Sequence, residues 1–266
     1  MKSIVEVAEN QEVNSEVNPI KYTLYSSFLE RMVNLELIAN EGSKKNEQAG
    51  LLLLNDGQDL RKLGLPATLK RISKKETVIP FTLVAISAGE RKSEYGVSGE
   101  PDYMGRGSKA ALYHKFIIFE LLPWIHSKLG TYIAPELTAF AGCSLGGLSA
   151  LDIVSSNPGH FGMAGVFSGS LWWRRKGYDD GYTDNDRIIL SKLRQLDLKK
   201  HFRCWLMAGT NDERNDRNYS GVIDAVEDTL DVFELLSKKM HSPSSDLYLR
   251  IVNGGYHDPV TWSHHF

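Results

Sequence analysis

A doubly wound α/β fold, with a mostly parallel sheet of eight strands covered by helices on both faces, is predicted by this 266-residue sequence. Three observations lead there. Short apolar runs alternate with helical patterns along the chain. From residue 51 onward those runs are nearly continuous in hydrophobicity, as strands buried on both faces must be. Several of them end in glycine-rich turns carrying polar residues, at the strand ends where a parallel sheet places its ligands.

The elements follow in order. Residues 1–19 are polar and rich in Glu, Asn and Val, with no basic start, apolar centre and small-residue cleavage site, so they read as an N-terminal extension. Runs 22–29 and 33–39 alternate more clearly and form an antiparallel pair at one edge. Strands then follow at 51–54, 81–86, 137–141, 164–167, 204–207 and 247–252. Crossover helices fill 65–73, 108–128, 145–156, 185–196 and 223–240, with a short one after Pro259. Right-handed connections between successive units wind them into one sheet. No linker divides the chain, so residues 20–266 read as one domain, with loops 90–106 and 174–184 as site walls.

Composition narrows the function. Lys and Arg total 31 against 33 Asp and Glu, so no net field attracts nucleic acid or an anionic membrane, and the expected partner is a small molecule. No apolar stretch approaches the length of a membrane span. The two cysteines, Cys143 and Cys204, fall on strands two spacings apart, roughly 9–10 Å and beyond disulfide reach. Buried free thiols suit a reducing compartment, and a cytoplasmic location is expected.

The chemistry centres on Gly142-Cys143-Ser144-Leu145-Gly146, followed by Gly147, between an apolar strand and a small-residue helix. G-x-S-x-G in that context is a nucleophile elbow, a sharp turn that lifts the serine hydroxyl out of the sheet. A serine needs a base, and the base needs a carboxylate to fix its tautomer, in the chain order Ser, acid, His. Of eight histidines, His257 alone follows a strand directly within a glycine-rich turn; His114 and His126 lie in a helical pattern, and His160, His201 and His241 in loops or element ends. Asp212, first after the Gly209-Thr210-Asn211 turn, is favoured as the acid over its neighbour Glu213, with Asp216 and Asp258 weaker alternatives. The oxyanion hole needs two N–H groups, one from Leu145 and one from Gln58, brought inward by the tight turn at Gly57.

These stations together resemble the esterase family of α/β-hydrolases that includes esterase D, feruloyl and acetyl-xylan esterases, enterochelin-type esterases and the mycolyltransferases. The resemblance runs over nearly the whole chain and rests on 51–58, 142–147, Ser168-Gly169-Ser170-Leu171-Trp172-Trp173, 209–212, and Gly255-Tyr256-His257 with Trp262. It implies an α/β-hydrolase fold, Ser144 as nucleophile, Asp212 as acid, His257 as base and the Gln58 and Leu145 amides as oxyanion donors. The expected activity is a serine carboxylesterase that acts, without a required cofactor, on small or carbohydrate-linked esters. Siderophore lactone hydrolysis and acyl transfer are the alternatives, and a non-catalytic binding protein on the same scaffold is the alternative from another class. Trp172, Trp173 and Trp262 are candidate pocket walls.

One further motif stands apart. Segment 216–227 matches a twelve-residue calcium loop, with Asp216, Asn218 and Ser220 at the first, third and fifth places, Gly221 at the sixth, the Val222 carbonyl at the seventh and Glu227 at the twelfth. A structural Ca2+ there would pin the loop that carries Asp212. The competing reading is a polar turn that starts the following helix.

Overall fold

The computed structural model describes residues 7–9, 19–39, 49–72, 78–198 and 202–266. Its strands are β1 Val7–Glu9, β2 Ile20–Ser26, β3 Arg31–Ala39, β4 Gly50–Asn55, β5 Phe81–Ile86, β6 Thr138–Cys143, β7 Met163–Phe167, β8 Arg203–Asn211 and β9 Leu247–Tyr256. They lie in the order β1-β2-β3-β5-β4-β6-β7-β8-β9. All eight expected strands are present as β2 to β9. The short β1, from the segment read as an extension, adds a ninth by pairing antiparallel with β2. The rest of 1–18, and His201, lie outside the described residues.

Burial follows the pairing. β3 pairs antiparallel with both β2 and β5, and its Val33, Leu35 and Leu37 are buried while Met32 and Asn34 are exposed. That alternation is the mark of a strand with one wet face. β4 to β9 run parallel, and β5 is buried from Thr82 to Ile86 because helices cover both of its faces.

The helices are α1 Leu65–Ile72, α2 Arg91–Glu94, α3 Ala110–Phe116, α4 Leu122–Leu129, α5 Leu145–Ser156, α6 Ile188–Gln195, α7 Asp224–Lys239, α8 Pro243–Asp246 and α9 Pro259–Ser263. On one face Leu65, Leu69 and Trp262 pack with Leu54, Leu83 and Phe167; on the other, Phe116, Leu151, Ile188 and Leu236 pack with Leu53, Val84 and Phe140. The long helix expected over 108–128 is α3 and α4 joined through a π-turn at Ile117–Leu121. Leu122 N–H reaches back five residues to the Ile117 carbonyl, and Pro123, one residue into α4, has no N–H for the ladder.

α5 is buried from Leu145 to Ser155, so it is apolar all round rather than on one stripe. Each large side chain it buries contributes about 1.5–3 kcal/mol. The charged exception is Asp152, fully buried and held by His114 Nε2 at 2.9 Å, Lys192 Nζ at 2.5 Å and the Ser98 N–H at 2.8 Å. A buried carboxylate is tolerable only with such partners. Cys143 and Cys204 are free and buried on β6 and β8, with β7 between them. Among the described residues, no helix is long and apolar enough to cross a membrane.

Candidate active site

Ser144 sits between β6 and α5 with φ 54° and ψ −124°, a left-handed conformation that L-residues rarely adopt. Neighbouring glycines make it possible. A Cβ on Gly142 would lie 2.5 Å from the Gly146 carbonyl carbon, and one on Gly147 would lie 2.8 Å from the Gly142 oxygen. Strand and helix can therefore approach only with hydrogen atoms at those positions. The turn is fixed by Ser144 N–H donating to the Phe167 carbonyl at 2.8 Å and by Ser170 N–H donating to the Ser144 carbonyl at 3.0 Å. The Ser144 Oγ faces the Ser170 Oγ at 3.4 Å.

Asp212 and His257 are brought together by the register of β8 and β9. Asn211 pairs with Tyr256 across a β-bulge, so the next residue on each strand is the proposed acid or base. Gly209 and Gly255 let the two backbones touch, since a Cβ on Gly209 would lie 2.4 Å from the Gly255 oxygen. Ser144, Asp212 and His257 line one cavity of about 260 Å³, with Ser168, Ser170, Trp172 and Glu213 also in its wall. The imidazole forms no hydrogen bond to Ser144 or Asp212 among the described residues, while Asp212 Oδ1 is buried without a hydrogen-bond partner. Its other oxygen accepts from Gly209 N–H at 3.1 Å.

Burial governs both titrating groups. It pushes the Asp212 carboxyl up, against the Ser168 hydroxyl, the Gly209 N–H and the charge of His257, all of which favour the carboxylate. It pulls His257 below the ordinary imidazole value; Asp212 works against that, and the positive charge of Arg91 adds to it. Glu213 is also raised by burial, then by Asp224 and Asp228, and its partner is Asn215 at 3.1 Å. Asp258 caps α9 by accepting from Thr261 N–H at 2.8 Å, which turns it away from the imidazole's role.

The two expected oxyanion donors lie at element starts. Leu145 opens α5, and Gln58 stands in the 3₁₀ turn Gly57–Asp59 after β4. Neither N–H donates to a protein acceptor among the described residues. The Gln58 side chain points away from that task, donating to Asp56 Oδ1 at 3.0 Å and accepting from Ala88 N–H at 3.0 Å. Gly57 presses on β5, where a Cβ would lie 2.8 Å from Ala85 and Ile86 backbone atoms.

The tryptophans divide. Trp172 lines the cavity, with Arg106 over its ring at 5.0 Å. Trp173 is not a pocket wall. It is fully buried, wedged where a Cβ on either Gly96 or Gly107 would lie 2.9 Å from its ring. Trp262 stands behind His257 instead, edge-on at 5.0 Å and 83°, and its Nε1 donates to Ser168 Oγ at 2.8 Å.

In the segment of the expected calcium loop, the candidate ligands hydrogen-bond to one another. Asp216 already accepts from Ser220 N–H at 3.0 Å and Gly221 N–H at 2.9 Å. Glu227 accepts from Asn218 Nδ2 at 3.1 and 3.0 Å and from Ser220 Oγ at 2.6 Å, with the Arg217 guanidinium 3.9 Å away. Asn218 is fixed in that orientation because its Oδ1 accepts from Ser220 N–H at 3.1 Å, so it offers nitrogen where a cation needs oxygen. The Val222 carbonyl accepts from Ser220 Oγ at 3.4 Å. Among the described residues, no group of three or more His, Cys, Asp or Glu could hold a metal ion.

Three site residues escaped the sequence reading. Ser168, at φ 47°, joins Trp262 to the neighbourhood of Asp212, and Ser170 braces the elbow. Arg91 acts from the start of α2, far away in sequence. Small polar residues ending the strand beside the elbow were the available signal for the two serines; for Arg91 it was its place in the 90–106 segment expected to wall the site.

A mostly parallel sheet in this order, with a left-handed serine on a strand-to-helix elbow, defines an α/β-hydrolase fold. Within that class the chain belongs to the Putative esterase family, whose sequence profile matches residues 26–266. The esterase Rv1288 of Mycobacterium tuberculosis is 40% identical over 63 residues, which are 24% of this chain and 14% of that one. The uncharacterized protein YjcH of Bacillus subtilis is 22% identical over 191 residues, 71% of this chain and 72% of its own. Among solved structures, the enterobactin esterase of Shigella flexneri superposes with a TM-score of 0.70 at 21% identity, covering 96% of this chain and 57% of that one. The siderophore hydrolase EstB of Aspergillus nidulans gives 0.66 at 17% identity, covering 97% and 96%. A ferulic acid esterase gives 0.68 at 15% identity, covering 95% of each.

Proposed function

We propose that this protein is a serine carboxylesterase in which Ser144 attacks the ester carbonyl, His257 takes its proton and Asp212 steadies the resulting imidazolium. The observation that carries this reading is the strained elbow at Ser144, set in one cavity with His257 and Asp212. A φ of 54° on a non-glycine residue costs about 1–3 kcal/mol and persists where function requires it. The lowered pKa of His257 keeps the imidazole neutral at neutral pH, the form a general base needs. The unpartnered Asp212 Oδ1 is an acceptor for the imidazole N–H once the ring turns toward it. Apo sites commonly hold such contacts loosely until substrate arrives. The Leu145 and Gln58 amides would receive the oxyanion, and water activated by His257 would hydrolyse the acyl-enzyme.

Trp172 in the cavity wall, with a guanidinium on its face, favours an aromatic or sugar group on the ester. The solved structures named above, a ferulic acid esterase and two siderophore-cleaving enzymes, are in keeping with substrates of that shape. The buried unpaired thiols suit a reducing compartment such as the cytoplasm.

Hydrolysis of a short-chain nitrophenyl ester by the wild type and by Ser144→Ala tests the chemistry. Loss of several orders of magnitude is expected in the variant; equal rates would overturn the reading. A panel of acetylated and feruloylated sugars beside a trilactone siderophore then ranks the substrates.

A further inference from the structure

The turn that follows β4 is held by a charge pair that closes on the elbow itself. Asp56, at φ 58° and ψ 46°, is a buried non-glycine residue in the left-handed region. Arg91 grips both of its oxygens, Nε to Oδ1 at 2.8 Å and Nη2 to Oδ2 at 2.9 Å. The Asp56 N–H donates to the Tyr95 hydroxyl at 3.1 Å. On its other side Asp56 meets α5: a Cβ on Gly146 would lie 2.8 Å from Asp56 Oδ2, and Asn55 Nδ2 donates to the Gly146 carbonyl at 2.8 Å. Arg91 is itself anchored from below. Three residues on, buried Glu94 takes Arg31 of β3 in a second bidentate pair, at 2.7 and 2.6 Å, and also accepts from the Gly89 and Glu90 N–H groups.

We propose that Arg91 is a positioning residue for the esterase chemistry, holding Asp56 so that the 55–58 turn keeps the Gln58 amide aimed at the carbonyl bound on Ser144. The proposal rests on the reading of Ser144 as nucleophile. A bidentate guanidinium fixes a carboxylate in orientation as well as distance, which a lysine in its place would not do. Arg91 also acts at range on His257, whose charged neighbours are Asp212, Arg91 and Asp258.

The test uses two readouts on the full chain: steady-state hydrolysis of 4-nitrophenyl acetate across pH, and the rate of Ser144 labelling by a fluorophosphonate. Arg91→Met and Asp56→Asn should each lower kcat and the labelling rate about ten- to a hundredfold with KM within about twofold, the signature of displaced oxyanion donors. The double variant should fall no further than either single one. Arg91→Met should also move the acid limb of kcat/KM to higher pH. Arg91→Lys should return that limb to its wild-type position without restoring kcat. The proposal is overturned if KM rises with kcat unchanged, if kcat stays within about twofold, or if Lys restores the full rate. Thermal midpoints report folding, and the nearly isosteric Asp56→Asn carries the test should Arg91→Met not fold. A wild type that fails to label at Ser144 would sink the esterase reading itself; a labelled wild type with indifferent variants sinks only this proposal.

Discussion

At the scale of single residues, the site depends on two departures from ordinary conformation and ionisation. Ser144 occupies a backbone region that glycine enters freely, so Ser144→Gly should stabilise the fold by about 1 kcal/mol while abolishing hydrolysis. A rise in thermal midpoint of Ser144→Gly over Ser144→Ala checks this. His257 is held below its ordinary pKa by burial, with Arg91 assisting and Asp212 opposing. The acid limb of kcat/KM should therefore fall below the unperturbed imidazole value of about 6.5, a position that a pH–rate profile would read directly. The same shift has a sign for stability. A histidine kept neutral in the fold costs nothing above the unfolded pKa; as pH drops through that value the unfolded chain takes the proton first, and stability declines until the folded pKa is reached.

At the scale of elements, Asp152 binds α5 to its neighbours through His114 of α3 and Lys192 of α6. Burial opposes its charge, but the His114 hydrogen bond and the His114 and Lys192 charges prevail and hold the carboxyl below the ordinary range. Asp152→Ala should cost about 3–5 kcal/mol, because Lys192 and His114 lose their buried carboxylate partner; urea midpoints at neutral pH would measure it. The contribution is complete above the unfolded carboxylate pKa and is lost as pH falls through the depressed folded value. This part of the fold was only half legible. Periodicity placed α3, α5 and α6 correctly, yet His114 read only as a histidine in a helical pattern, because nothing in a single sequence shows that Asp152 will face it. Trp173 failed for a related reason: its ring is defined by Gly96 and Gly107 from a distant loop.

At the scale of the whole molecule, the strand order and the placing of Ser144, Asp212 and His257 beyond strand ends could be read from apolar runs and chain order, because a parallel sheet leaves few places for a polar turn. The calcium reading rests on motif spacing alone. Motif spacing specifies oxygens and is silent on Arg217, inside the motif, whose guanidinium lies against Asp228 and Asp224 and 3.9 Å from Glu227. The two thiols give a global probe. Cys143 and Cys204 are buried and pushed well above the usual thiol range by desolvation, so iodoacetamide should leave the native protein unlabelled. Labelling in step with loss of circular dichroism through a urea titration is expected; rapid native labelling would contradict it.

His257 directly follows β9, which closes the sheet at one edge and is its most solvent-facing parallel strand, with Tyr248 and Tyr256 about half exposed. The nucleophile, by contrast, is embedded between interior strands. On the proposed reading, a nascent chain thus acquires its elbow long before its base, and the half-built sheet holds a serine that nothing can yet deprotonate. In reverse, peeling of that one outer strand would silence the proposed chemistry while most of the architecture still stood.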